Sequence, residues 1–200
     1  MFHNRLLQVL VCALLLLATF TEAGYDRREQ RRAHHRRAAA FTHSGVVVND
    51  AQLAFVKKQI AAKSEPWTSA YRQFISSNYT SLSYTPTPRA VVECGSHSVP
   101  NLGCTEERED AIASYSHALA FYFTGNTAYA NKSIAIMDAW ASTLQAHNNS
   151  NAPLQTGWAG ASWPKTGELI RHYYNSSWSN EKQGRFKKML QQVYLVSGGL

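Results

Sequence analysis

Apolar residues between Asn49 and Val193 recur at helical spacing, and wherever that spacing lapses proline, glycine or a polar run takes over. Such a pattern disfavours a sheet, because a strand turns alternate residues to opposite faces while a helix gathers positions three and four apart on one side. Asn49, with Gln52 three residues on, has the spacing of a capping box, and Leu53, Val56 and Ile60 then share one face. Glu65-Pro66 opens a second helix with Trp67, Ala70, Tyr71 and Phe74 as its stripe, and the two read as an antiparallel pair. Thr105 starts a third helix, with Glu106 and Glu107 placed to complement the positive end of its dipole. Its stripe is Ile112, Tyr115, Leu119 and Tyr122, and Thr124-Gly125-Asn126 stops it. Further helices are expected over Ala128 to Leu144, over Pro164 to Tyr174, and after a Ser179 cap with Phe186, Leu190 and Val193 inward. Residues 76–101 contain Pro86, Pro88 and Pro100 without helical period and read as a long surface excursion. The expected fold is all-α, built of antiparallel helical hairpins stacked side by side.

Residues 1–23 read as a secretory signal, with Arg5 as the positive start, Leu6 to Phe20 as the apolar run and Thr21-Glu22-Ala23 as the cleavage site. No later apolar run approaches the roughly 18 residues that a membrane span needs, so the expectation is a secreted, extracellular protein without a membrane anchor. Residues 24–40 hold six arginines and lack apolar periodicity. They read as a basic disordered stretch, either a pro-segment cut after Arg36-Arg37 or a permanent arm. This stretch carries more than half of the formal net charge of +7, which leaves the rest mildly basic and gives no call for nucleic acid as a partner. Residues 41–200 suffice for one domain. They end on Val196-Ser197-Gly198-Gly199-Leu200 without a closing helix and read as a domain truncated at its C-terminus.

Cys12 belongs to the signal segment, which leaves Cys94 and Cys104 in an oxidising compartment, where a disulfide between them is expected. Closing so short a loop is worth roughly 2.5 to 3 kcal/mol in the chain-entropy picture. His97 lies inside the loop, but two thiols and one imidazole leave a zinc tetrahedron incomplete, so neither a metal nor a cofactor is expected. Sequons at Asn78, Asn131, Asn148 and Asn175 mark a glycoprotein and should face solvent. The chain has no HExxH, GxSxG, P-loop or paired CxxC motif. His117, set among Tyr115, Leu119 and Tyr122, reads as a structural histidine.

The stretch from Asn151 to Pro164 concentrates two indoles, an amide and small residues ahead of a helix carrying Glu168, Arg171 and His172. Indole faces suit the C–H faces of pyranose rings, amides suit hydroxyls, and arginine suits a carboxylate. Trp158 and Trp163 are therefore either stacking platforms or core anchors, and Arg171 and His172 either site residues or surface charge.

Four passages together resemble the alginate lyase family, secreted polysaccharide lyases of (α/α) toroid fold. They are Thr42-His43-Ser44-Gly45 through Pro66-Trp67, Cys94-Gly95-Ser96-His97 through Arg108, Tyr122 to Trp140, and Asn151-Ala152-Pro153-Leu154-Gln155 through Trp163-Pro164. The likeness spans about residues 41–196. It implies an incomplete (α/α) toroid, and β-elimination on a uronic-acid polysaccharide of alginate or glucuronan type. The family's Asn-His pair and Arg/Tyr group have no counterpart in the chain, so no catalytic base or acid is assigned and the catalytic half is expected to be missing. Implied substrate-binding residues are Gln155, Trp158, Trp163 and Arg171, with His97 and Asn101 as a cleft rim beside the cystine. The alternative is a non-catalytic secreted carbohydrate-binding or interaction protein of the same fold.

Overall fold

Asn49 and Gln52 form a complete capping box, each side chain accepting from the other's backbone N–H at 3.0 Å. The computed structural model describes residues 43, 46–95, 101–174 and 177–195. The signal and basic segments, His97 and Asn175 lie outside the described residues. Helix α1 (Asp50–Ala61) buries Leu53, and α2 (Trp67–Ile75) follows it. The α2 stripe of Trp67, Tyr71 and Phe74 is half-buried against Val56 and Ile60 of α1 and against Phe123.

Residues 81–90 form no helix or strand and none is buried, as the prolines imply, but short ordered elements flank them. A 3-10 turn (Asn78–Thr80) precedes strand β1 (Val91–Glu93), and β1 pairs in parallel with β2 (Ala146–Asn148), Val92 opposite His147. Val92 is fully buried. Three residues are too few to show alternation, which is why the pattern hides them. Cys94 and Cys104 are joined, with Cα atoms 5.8 Å apart. Gly103, at φ +78°, then turns the chain from Leu102 into the next helix, a conformation that L side chains rarely adopt.

That helix, α3 (Cys104–Thr124), packs most extensively on α4 (Thr127–Thr143), and also on the 3-10 turn, α5 (Ala152–Gly160) and α6 (Trp163–Tyr173). The expected stripe of Ile112, Tyr115, Leu119 and Tyr122 is not its innermost face, and Ile112 is 43% exposed. Small residues are inside instead: Ala111, Ala118 and Ala130 are fully buried, and Ser114 and Ser133 each donate a hydroxyl to the other's carbonyl, at 3.2 and 2.9 Å. Short side chains allow the two helices a close approach, and the reciprocal bonds satisfy hydroxyls that burial would otherwise penalise. Helix α7 (Asn180–Met189) starts at Ser179, whose hydroxyl accepts from the Lys182 N–H. It continues as a π-helical turn (Leu190–Tyr194), with Phe186, Val193 and Tyr194 buried. No described helix is long and apolar enough to cross a membrane. The architecture is all-α apart from the short parallel pair. Asn78, Asn131 and Asn148 are all exposed.

His117 lies fully buried on α3 with neither ring nitrogen hydrogen-bonded among the described residues. Burial, with Lys132 adding to it, lowers its pKa from 6.5 to about 4. The unfolded chain therefore binds a proton that the folded chain refuses between those values, so this contribution to stability is present above pH 6.5 and lost as pH falls towards 4. Urea unfolding from pH 7 to 4 should show stability declining across that window, with a shallower slope in His117→Leu. Equal slopes in the two proteins would show that His117 is not the titrating group.

Candidate functional site

Two carboxylates one turn apart on α3 gather the surrounding elements. Asp110 is almost wholly buried and accepts from Tyr84 OH at 2.7 Å, Thr87 N–H at 2.8 Å and Trp140 Nε1 at 2.6 Å, tying the segment before β1 and helix α4 to α3. Burial and this bond push the Tyr84 hydroxyl's pKa upward, so it stays a donor.

Glu107 is fully buried and organises the other side. Its Oε1 lies 2.6 Å from His147 Nε2 on β2 and accepts from Tyr194 OH, while its Oε2 accepts from Gln155 Nε2 of α5 at 2.6 Å. Burial, reinforced by Glu107, raises the pKa of Tyr194 well above the ordinary tyrosine value, which keeps the phenol protonated and donating. Its oxygen accepts from Trp163 Nε1 at 2.7 Å. The chain of contacts thus runs from a core indole through a phenol and a carboxylate to an amide.

The amide brings the network to the surface. Gln155 Nε2 also donates to the Cys104 carbonyl at 2.9 Å, so both of its protons are engaged and Oε1 must face the other way. There it accepts from Arg108 at 3.0 Å, and the half-buried guanidinium lies 5.2 Å from the ring centre of Trp158, which is 51% exposed. Asn151 N–H donates to the Cys94 carbonyl at 2.9 Å, which fixes the start of α5 against the cystine.

The Asn151 to Pro164 stretch is therefore largely a helix, although Gly157 and Gly160 lower its helical propensity and Pro153 fits only because it falls in the first turn. Gln155 is 1% exposed, and its contacts are internal. Trp158 is a solvent-facing platform, whereas Trp163 is fully buried and packs against Trp140 and Phe186. Arg171 is exposed on α6 and borders a different groove. Asn101 is exposed and its Oδ1 accepts from Gly95 N–H at 3.3 Å. Gln155 and Trp158 thus meet at one place, with Arg108 between them, and Trp163 joins it only through the buried network.

Sequence reasoning passed over Arg108, Glu107, His147 and Tyr194. Glu107 has the signature of an acid complementing a helix dipole, and its partners lie 40, 48 and 87 residues away, so no local spacing marks it. Among the described residues, no group of three or more His, Cys, Asp and Glu is placed to hold a metal ion.

A helical scaffold holds a guanidinium against an exposed indole, oriented by a locked amide, a combination whose chemistry suits an acidic sugar. The alginate lyase family model matches residues 96–194, a span that contains every one of these groups, and the match is consistent with a partial member of that family. At family level the match supports a polysaccharide-lyase-like function, and the family implies an acidic polysaccharide as substrate. No curated protein and no solved structure matches the chain significantly. Helices α1 and α2 precede the matched span.

Glu107→Ala should destabilise the fold by about 3–5 kcal/mol in urea unfolding, because it strands buried donors on His147, Gln155 and Tyr194. Arg108→Ala, at a half-buried position, should cost less than half as much. Equal effects of the two substitutions would show that Glu107 is not the organising group.

Proposed function

We propose that the protein is a secreted lyase that cleaves a uronic-acid polysaccharide, of alginate or glucuronan type, by β-elimination. In that reaction a base removes the proton at C5, the C4–O glycosidic bond breaks, a C4–C5 double bond forms, and the leaving oxygen takes up a proton. The C5 proton is poorly acidic while the adjoining carboxylate is charged, so a fixed cation at that carboxylate lowers the barrier. Arg108 carries the reading. Its guanidinium is oriented by the Gln155 amide and lies against Trp158, which offers a cation for the carboxylate and a face for the ring. Charge neutralisation and stacking are assigned to these residues, and the base and acid to no residue of this chain.

One observation favours a second reading, a non-catalytic carbohydrate-binding protein of the same fold. The phenol and imidazole of the adjoining network, Tyr194 and His147, are buried and bound to Glu107 rather than turned outward.

Titration with a uronate oligomer tests the shared part of both readings. Trp158→Ala should weaken binding by about 1–3 kcal/mol, the range for stacking on an aromatic platform, while melting temperature changes little. Unaltered affinity would remove this surface from the site. Ultraviolet absorbance of unsaturated uronate then separates the two: its rise on incubation with polymer supports the lyase, and binding without it supports the binding protein.

A further inference from the structure

Helices α6 and α7 border a groove of about 500 Å³, within the usual range for small-ligand sites. Its lining includes Arg171, Lys187, Asn180 and Glu168, with Trp178 and Phe186 as apolar members. Several cations elsewhere on the surface are engaged internally, although among the described residues the exposed Lys58, Lys63 and Lys188 are not. Arg185 and Lys182 pair with Asp138, Arg89 pairs with Glu106, and Lys132 donates to the Tyr84 carbonyl. Arg171 and Lys187, in the lining, are both exposed, and neither makes a hydrogen bond or ion pair among the described residues. Glu168, the acid of the lining, is bonded to His43 Nδ1 at 2.5 Å and makes no ion pair with either cation among the described residues. Two uncommitted like charges bordering one concavity raise its positive potential, and an anionic ligand relieves that repulsion. Pro164 and Leu190, half-buried in the same lining, offer apolar surface to the C–H faces of a sugar beside the cations.

We propose that the α6–α7 groove is a second binding site for a carboxylated sugar chain, in which Arg171 and Lys187 receive carboxylates. It is separate from the Arg108–Trp158 surface on α3 and α5. The choice of a carboxylated sugar rests on the acidic-polysaccharide reading above, and the site itself rests on the two uncommitted cations.

Calorimetric titration of the full chain with alginate hexasaccharide, and with neutral cellohexaose as control, tests the proposal. Trp158→Ala should retain residual affinity for the alginate oligomer. Adding Arg171→Gln and Lys187→Gln should lower that residual affinity by about tenfold or more, and high salt should lower it likewise. The charge-conserving pair Arg171→Lys and Lys187→Arg should restore most of it at unchanged melting temperature, which separates lost charge from lost fold. The proposal is overturned if Trp158→Ala retains no affinity, if the glutamine pair leaves it unchanged, or if cellohexaose binds as well as the alginate oligomer. If the glutamine pair abolishes binding while Trp158→Ala has no effect, the groove stands and the assignment to Arg108 and Trp158 falls.

Discussion

The buried carboxylates of α3 hold the rest of the molecule in register. A fully buried Glu107 beside an almost wholly buried Asp110 is costly unless each oxygen is satisfied, and each is satisfied by donors from other elements. Asp110 collects the segment before β1 and the indole of α4, and Glu107 collects β2, α5 and the end of the π-helical turn. A hydrophobic face tolerates sliding, whereas a carboxylate with three donors accepts one arrangement. The same requirement explains why α3 carries alanine and serine where it meets α4. The helices must come close enough for these bonds to form, and larger residues would hold them apart.

Legibility in the sequence followed the range of the interactions involved. The Asn49 capping box, the Ser179 cap and the helix stop at Gly125 are decided within four residues, and the spacing showed them. Ile134, Met137 and Leu144, three and seven residues apart, are buried, in keeping with the helix expected over Ala128 to Leu144. The α3 stripe misled because its large residues lie at the margin while small and polar ones occupy the centre, a helix enclosed on several sides instead of amphipathic. Strand β1 was hidden by its brevity, and α5 by its two glycines, whose cost tertiary contacts override. At the candidate site, Gln155 and Trp158 were legible as residue types suited to sugar. Arg108 was not, since a single arginine among charged neighbours in the TEERED run carries no signal until Gln155 is brought to it across 47 residues.

The two tryptophans of the same stretch show how placement decides role. They lie five residues apart, yet Trp163 is fully buried with its Nε1 bonded to Tyr194, while Trp158 leaves half its surface to solvent beneath a guanidinium. Gly160 lies between them, and a Cβ there would stand 3.2 Å from the Tyr194 ring, close enough that the ring would have to shift by a few tenths of an ångström. That close approach places Tyr194 between Trp163 and Glu107.

The partner chosen for Arg108 bears on what that residue can do. Arg185 hydrogen-bonds Asp138 and Glu181, so its charge is compensated on the spot and serves the packing of α7 against α4. Arg108 is held instead by a neutral carbonyl oxygen, which fixes the direction of the guanidinium without a direct carboxylate contact to cancel its charge. The orientation of that amide is itself imposed, because Nε2 has two acceptors in Glu107 and Cys104 and only Oε1 remains to face outward. A carboxylate at position 155 would bring a second acid against Glu107 and a direct counter-ion against Arg108. The amide avoids both, so the buried charge stays inside the network and the half-buried guanidinium is left without a direct counter-ion among the described residues.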